Sequence, residues 1–244
     1  MLTAVNTALL AQETSPLLGN NFAFFEYGIK DGHEASFVNG YKRDLEWHQA
    51  NKDTWAWVGW FITNGPRRGR FVDATPHHHW QDFDNWVINR VENAKHNEIH
   101  YTSHAENPSG QYRIVLPEYS TFQADWYQSP MLHLYYFELN IGHEKTFQEF
   151  ILYFKKAFLK TNPTQQMVWM KTVSGDRLPQ FVLFIPMGKN EDLRLSEAFV
   201  EPLLSTALPD KEAREALQKL SAAVKNMSSE IWNYRQDLSL YPGK

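Results

Sequence analysis

Two kinds of hydrophobic pattern alternate along the chain, one typical of strands and the other typical of helices. Phe22–Ile29 is rich in aromatic and long apolar residues, which predicts a strand. After the glycine that follows, Phe37, Tyr41, Leu45 and His48 recur at steps of four, four and three, the spacing of a helix with one buried face. Further strands are predicted at Trp55–Thr63, Gly69–Thr75 and Tyr112–Leu116, and a second helix is predicted to begin near Asp82.

The same order of elements recurs 110 residues later. A gapless shift of 110 residues places Gly32-His33-Glu34 on Gly142-His143-Glu144 and gives twelve identities over about sixty positions. Strands are predicted at Leu132–Leu139, Met167–Val173, Pro179–Ile185 and Asp237–Tyr241, a first helix from Phe147, Phe150 or Ile151, Phe154 and Phe158, and a second helix from near Asp192. We interpret this pattern as a duplicated supersecondary unit.

Each copy has the order β-α-β-β-α-β, which is the ferredoxin-like unit. The sequence therefore predicts an α+β chain, with a first repeat at residues 20–117, a linker at 118–130 and a second repeat at 131–244. The second repeat is predicted to carry an extra helix, Asp210–Tyr234, because its apolar residues lie three and four apart and Asp210 suits an N-cap. We expect this helix to pack on its own repeat, and a role in dimerisation is the alternative.

The first nineteen residues differ from the rest of the chain. Residues 2–11 are weakly apolar and are followed at once by polar residues, as at the end of a secretory signal. We expect residues 1–19 to be either a truncated export signal or a disordered N-terminus. The first interpretation implies a periplasmic or secreted protein, and the second implies a cytoplasmic one.

Composition excludes several classes of function. The chain is 43% hydrophobic and 15% aromatic, so it can bury a large core. Its formal net charge is −4, which gives no basic footprint for nucleic acid, and it has no apolar run of the roughly 20 residues that cross a membrane. Cysteine is absent, which excludes disulfides, thiolate metal sites and a cysteine nucleophile.

A ferredoxin-like unit covers one sheet face with helices and leaves the other face in need of a partner. Two units in one chain can therefore pack sheet to sheet as an intrachain α/β-barrel. This arrangement resembles the dimeric α/β-barrel superfamily fused in tandem, which includes the antibiotic-biosynthesis monooxygenase, stress-responsive, NIPSNAP and haem-binding chlorite-dismutase types. Gly69–Pro76, followed by Trp80–Phe83, is loosely similar to the strand-to-helix turn of the monooxygenase type.

The resemblance implies a protein that binds an aromatic or apolar small molecule between its sheets. It also implies a cofactor-independent oxygenase or isomerase acting on that molecule. Haem-binding members have a proximal histidine in the second unit, whereas this chain has no histidine after His143. The alternative is a non-catalytic envelope or stress-related protein whose barrel is filled by its own aromatic side chains, so the sequence leaves open whether the chain is an enzyme.

The alternation of side chains along the strands suggests which residues face the inter-sheet cavity. Glu26 and Glu138 lie on central strands, where a carboxylate is costly unless it lines a wet cavity. We expect these two residues and Trp57 to line the cavity. The candidate proton-transfer residues are Glu26, His33 and His79, and the candidate ligand-binding residues are Trp55, Trp57, Arg67, Asp73, His77, Tyr136 and Glu138.

The candidate histidines also have purely structural interpretations. His33 lies in a turn before a helix, where it would serve as part of a cap. His77 and His79 belong to a histidine triplet without a recognised metal-ligand spacing, so we predict no metal and no cofactor.

The two copies differ at the candidate positions. Trp55, Trp57, His77 and His79 of the first copy become Gln165, Met167, Met187 and Lys189 in the second. We therefore expect the first copy to carry the ligand site. The predicted partner is a small-molecule ligand, homodimerisation is left open, and we expect no nucleic acid partner and no membrane span.

Overall fold

A computed structural model describes residues 19–194 and 199–242. The predicted export signal or disordered segment therefore lies almost wholly outside the described residues. The strands are β1 (Asn21–Ile29), β2 (Trp57–Asn64), β3 (Phe71–His78), β4 (Ala105–Val115), β5 (Met131–Leu139), β6 (Val168–Ser174), β7 (Gln180–Met187) and β8 (Val224–Leu240). The α-helices are α1 (Glu34–Ala50), α2 (Arg90–His100), α3 (Glu144–Thr161), α4 (Glu201–Ala207) and α5 (Asp210–Ala223).

The eight strands form one closed antiparallel barrel in the order β1-β3-β2-β8-β5-β7-β6-β4. Each half of the chain contributes four neighbouring strands in the same order, β4-β1-β3-β2 and β8-β5-β7-β6. The halves join where β2 pairs with β8 and where β4 pairs with β6. Every strand edge is thus paired, and the predicted α+β barrel of ferredoxin-like halves is confirmed.

The turns that lead into α1 and α3 explain why both helices begin where the sequence places them. Gly32 and Gly142 have φ angles of +75° and +86°, a region that residues with a Cβ rarely adopt. Each glycine lies in the turn after a strand, and Glu34 or Glu144 then opens the helix with a carboxylate in its first turn. The predicted buried faces are confirmed: Phe37, Tyr41, Leu45 and His48 in α1, and Phe147, Phe150, Ile151, Phe154 and Phe158 in α3.

The apolar core has three parts, one inside the barrel and one on the outside of each half. The interior is filled by Phe22, Phe24, Val58, Trp60, Val72, Leu132, Leu134, Val182, Phe184 and Trp232, among others. Helix α1 covers the outer face of the first half, and α3, α4 and α5 cover that of the second. No helix within residues 19–194 and 199–242 is both long and apolar enough to cross a membrane.

The segment predicted as a linker closes one end of the barrel. It contains two short 3-10 turns, Pro117–Tyr119 and Trp126–Gln128. Trp126 is 2% exposed, and its ring lies 5.2 Å from that of Phe184 and 6.1 Å from that of Phe22. This end of the barrel is therefore plugged by aromatic side chains, and we call it the plugged end.

The predicted helix Asp210–Tyr234 is wrong in its second part. Helix α5 ends at Ala223, and the chain continues as β8. Burial then alternates with a period of two at Glu230 and Trp232, and β8 pairs with β5 on one side and β2 on the other. These two ladders satisfy the backbone hydrogen-bonding groups on both sides of β8. The helical spacing of the apolar residues in this segment gave no sign of such strand pairing.

The second helix of the first half begins later than predicted. Near Asp82 the chain forms only a 3-10 turn, Trp80–Phe83, and helix α2 begins further along, at Arg90. In the second half, Asp192 lies in the 3-10 turn Asn190–Leu193, and Arg194 after it is helical. Asp82 is therefore correct as a turn signal but does not open a long helix.

Substitution of two hairpin and turn glycines will test the closure between β4 and β6. An alanine Cβ at Gly175 would lie 1.9 Å from the carbonyl oxygen of Gly110, whereas a Cβ at Gly142 meets nothing within 4 Å. Both glycines have positive φ, +93° and +86°. We expect Gly142→Ala to cost about 1–2 kcal/mol from backbone strain, and Gly175→Ala to cost a further ~1–3 kcal/mol from the clash. Urea unfolding of both variants measures this, and equal losses would contradict the close approach.

Candidate functional site

The end of the barrel opposite the plugged end is open and lined by polar residues; we call it the mouth. The β2–β3 hairpin and the β6–β7 hairpin meet here, one from each half. Between them lies a cavity of about 330 Å³. Its walls are formed by Glu26, Pro66, Arg67, Ser109, Gln111, Tyr136, Glu138, Gly175, Asp176, Arg177, Gln180, Asn226, Ser228 and Glu230.

Arg67 connects the two halves at the mouth. Its Nη1 donates to Glu26 Oε2 of β1. Its Nη2 and Nε donate to Glu230 of β8, at 2.6 Å to Oε2 and 2.9 Å to Oε1. Nη2 also donates to the hydroxyl of Tyr136 at 2.6 Å, and Glu26 forms a second ion pair with Arg70. The side chains of Glu26 and Glu230 are only 8% and 2% exposed, so these are largely desolvated charges.

A second group of charges borders the same cavity. Glu138 accepts a hydrogen bond from Lys225 Nζ at 2.7 Å and lies 3.6 Å from Arg177 Nη1. The hydrogen bond from Lys225 lowers the pKa of the Glu138 carboxyl. Arg177 occupies the hairpin position equivalent to Arg67, but its side chain is 75% exposed, whereas that of Arg67 is 26% exposed. The two halves thus present arginines at equivalent hairpin positions in different ways.

Four of the candidate residues are brought together at the mouth: Glu26, Arg67, Tyr136 and Glu138. Alternation along β1 explains the inward position of Glu26, since Phe25 and Tyr27 face the helix layer while Phe24 lies inside the barrel. In β5, Leu134 and Tyr136 face inward in the same way. Glu26 and Glu138 both lie in the wall of the cavity at the mouth, and their roles in binding or proton transfer stay predictions.

Trp55, Trp57 and Asp73 lie outside the barrel, under α1. The indole of Trp57 donates to Asp53 Oδ2 at 2.9 Å, and its ring is 4.8 Å from that of His48. The expectation that Trp57 lines the inter-sheet cavity is therefore wrong. Both faces of β2 are apolar, and the inward face is the one that carries Trp60, so alternation alone could not choose between them.

The candidate histidines do not join Glu26. His33 caps α1 on the outside of the barrel, with its Nδ1 2.9 Å from that of His104. His77 and His79 lie at the plugged end, about 17 and 23 Å along the direction of β3 from the level of Glu26 at ~3.3 Å per residue. The predicted proton-transfer set of Glu26, His33 and His79 is therefore not assembled in one place.

Two important residues at the mouth were missed by sequence reasoning. Glu230 was hidden because its segment was predicted as a helix. Arg113 lies on β4 between outward-facing Tyr112 and Ile114, so it points into the barrel. A single charged residue at an inward position of a predicted strand was the available signal for Arg113.

The described residues do not form a haem or metal site in the barrel. No group of three His, Asp or Glu side chains among them is arranged to hold a metal ion. In the second half, His133 packs against Tyr135 on the outer face of β5, and His143 caps α3. Neither side chain points into the interior, so neither fits the role of a proximal haem ligand.

Solved structures share this fold. Two proteins named putative monooxygenases match it, one from Lactobacillus acidophilus NCFM with a TM-score of 0.53 and 10% identity, and one from Fusobacterium nucleatum with a TM-score of 0.57 and 9% identity. An anthrone oxidase-like protein matches with a TM-score of 0.56 and 10% identity. The matches cover 91%, 89% and 92% of this chain and 96%, 93% and 94% of those chains, respectively.

These likenesses confirm the resemblance to monooxygenase-type ferredoxin-fold proteins at the level of the fold. No protein-family profile matches the chain, and no curated protein matches its sequence significantly. At about 10% identity the activity of these proteins is not transferred by the fold. The function must therefore be argued from the mouth itself.

A buried cluster on the outside of the first half has a different character. His48 Nδ1 lies 2.6 Å from Asp53 Oδ2, and Asp73 Oδ2 accepts a hydrogen bond from the hydroxyl of Tyr41 at 2.7 Å. Burial alone would lower the pKa of His48, but hydrogen bonds to Asp44 and Asp53 raise it to about 9. Burial raises the pKa of Asp73 to about 7, although Tyr41 opposes this.

We predict that Arg67 contributes far more to stability than Arg177. Arg67→Met removes the guanidinium that pairs with both nearly buried carboxylates. We expect this change to lower the free energy of unfolding by about 3–5 kcal/mol. Arg177→Met removes an exposed pair at the equivalent position and should change stability by no more than about 0.5 kcal/mol. Denaturant unfolding of both variants measures the difference. Similar losses would mean that the Glu26–Arg67–Glu230 network does not hold the halves together.

From the pKa values in the outer cluster we predict that the free energy of unfolding falls as the pH rises from about 6.5 to about 9. His48 has a folded pKa above its unfolded value, so its contribution is complete below pH 6.5 and is lost by about pH 9. The raised pKa of Asp73 acts in the same direction up to about pH 7. We expect a decrease of up to ~3 kcal/mol. Thermal unfolding across this range should show it, and His48→Gln should flatten the profile; an equal slope in both proteins would exclude His48 as the source.

Proposed function

We propose that the protein binds a small organic molecule in the cavity at the mouth of the barrel. The observation that carries this proposal is the convergence of polar side chains from both halves on one cavity of about 330 Å³. Binding sites for small molecules are typically preformed cavities in which a few placed polar groups fix the ligand, and barrel mouths are common locations for them. The aromatic packing of the plugged end leaves the mouth as the entry to the interior.

The arrangement of charges favours binding over proton transfer. Glu26 and Glu230 are both engaged by Arg67, so neither carboxylate is placed as a free proton acceptor. Burial raises the pKa of Tyr136 to about 12, although Arg67 and Arg113 oppose this, so its hydroxyl keeps its proton near neutral pH. Tyr136 is therefore a neutral hydrogen-bond donor in the cavity wall, where its hydroxyl donates to Glu230 Oε2 at 3.4 Å.

Oxidation of the bound molecule by dioxygen, without a bound cofactor, is a second candidate function. It is supported by the fold shared with proteins named as monooxygenases and as anthrone oxidase-like. In this reading the donors at the mouth would stabilise negative charge that develops on the substrate oxygen. A purely structural role is supported less well, because the interior is packed at the plugged end but not at the mouth.

Two neighbouring residues of β8 provide a matched test of binding at the mouth. Ser228 lines the cavity, whereas Ser229 is exposed on the opposite face of the strand. We expect 2-naphthol, 2-naphthoate or 2-naphthamide to bind the unaltered protein in calorimetric titrations, Ser228→Phe to weaken binding at least about tenfold, and Ser229→Phe to leave it unchanged.

The same samples test the second candidate. Dioxygen uptake with 2-naphthol that is lost in Ser228→Phe and kept in Ser229→Phe would support oxidation at the mouth. Binding without uptake would support a binding protein. Failure of all three compounds to bind, or equal binding by both variants, would contradict a site at the mouth.

A further inference from the structure

One buried charge next to the cavity has no counterion in the described structure. Arg113 is 1% exposed, and its side chain points into the barrel from β4. Within residues 19–194 and 199–242, its Nε and Nη1 atoms have no hydrogen-bond partner, and only Nη2 donates, to Gln111 Oε1. Because Nε carries one N–H and Nη1 two, most of the hydrogen-bonding capacity of this guanidinium is unused.

The carboxylates around the cavity are already engaged by other groups. Glu26 and Glu230 pair with Arg67, and Glu138 is held by Lys225 and Arg177. Asp176 accepts hydrogen bonds from the backbone of Arg177 and from the amide of Gln180. Arg113 therefore sits in a desolvated place, and the charge of Asp176 offsets only part of the cost in free energy.

Arg113 lies directly behind the inner wall of the cavity. Gln111, its hydrogen-bond partner, lines the cavity, and so does Tyr136, whose ring centroid is 5.5 Å from Arg113 Cζ. A rotation of the Gln111 side chain, a motion that side chains make readily, would expose the guanidinium to a molecule in the cavity. The ring centroids of Phe24 and Phe184 lie 4.8 and 5.9 Å from the same carbon atom.

We propose that Arg113 holds the anionic group of the bound molecule, and that this molecule is a small aromatic carboxylic acid; the inference rests on the proposed function. A carboxylate matches the planar guanidinium and supplies the single negative charge that Arg113 lacks. A phosphate dianion would bring a second negative charge close to Glu26 and Glu230. The ring of Tyr136, which lines the cavity, provides a flat apolar surface beside which an aromatic acid packs.

The test compares 2-naphthoate with 2-naphthamide, which has nearly the same shape but no charge. On the unaltered protein at constant ionic strength, we expect the acid to bind about 10- to 100-fold more tightly than the amide in calorimetric titrations. Arg113→Met should abolish this preference. Arg177→Met, which removes an exposed guanidinium from the same cavity, should retain most of it.

A stability measurement separates a binding role for Arg113 from a structural one. Removal of a buried charge without a counterion should leave the Tm of the ligand-free protein unchanged or raise it, whereas loss of a structural arginine should lower it. A lowered Tm together with an intact preference for the acid in Arg113→Met would overturn the proposal. The comparison of acid and amide on the unaltered protein stands even if the variant does not fold.

The outcomes also distinguish this inference from the proposed function. Equal affinity for the acid and the amide overturns the role of Arg113 while leaving a binding site at the mouth. If neither compound binds but 2-naphthol does, the inference is overturned and the proposed function stands; if 2-naphthol does not bind either, both are overturned. A third outcome is that Arg177→Met removes the preference for the acid while Arg113→Met keeps it. This result would place the anion site at the rim and overturn the role of Arg113.

Discussion

The structure depends on the mutual closure of two half-sheets. Each half has an apolar inner face and two edge strands, and the other half covers the face and pairs the edges through β2–β8 and β4–β6. A sheet of four strands alone would expose both features to water and to other chains. Closure removes these liabilities, and it also restricts any site that draws on both halves to the ends of the barrel. The segment around Trp126 occupies one end, which leaves the mouth.

The mouth is asymmetric although the halves share one strand order. Position 26 of β1 and position 136 of β5 are 110 residues apart, yet one is a carboxylate and the other a phenol, and both contact Arg67. The equivalent arginine, Arg177, stays at the rim. A pair of similar halves has thus produced one deep guanidinium with two acidic partners and one exposed guanidinium. A single ligand orientation follows from such asymmetry more readily than from two equal half-sites.

Local patterns were sufficient for much of the fold and for part of the site. The helix α1, the strand β1 and the inward position of Glu26 follow from spacing within a few residues of one another. Strand β8 was misread because its pairing partners, β2 and β5, lie far away in sequence. Trp57 was assigned to the wrong face of β2 for a similar reason. Tertiary packing decides which of the two apolar faces of this strand lies against α1.

The two buried clusters show why an unpaired charge points to function in one place and not in the other. In the outer cluster, His48 is paired with acidic partners. Asp73 has one carboxylate oxygen without a partner among the described residues, and its pKa is raised to about 7. Asp73 can therefore reduce the cost of its burial by taking up a proton. Arginine does not have this option, because burial lowers its pKa from a value far above neutrality. Arg113 keeps its charge inside the barrel, where the rings of Phe24, Tyr136 and Phe184 stabilise it in part and an anion entering from the mouth would stabilise it further.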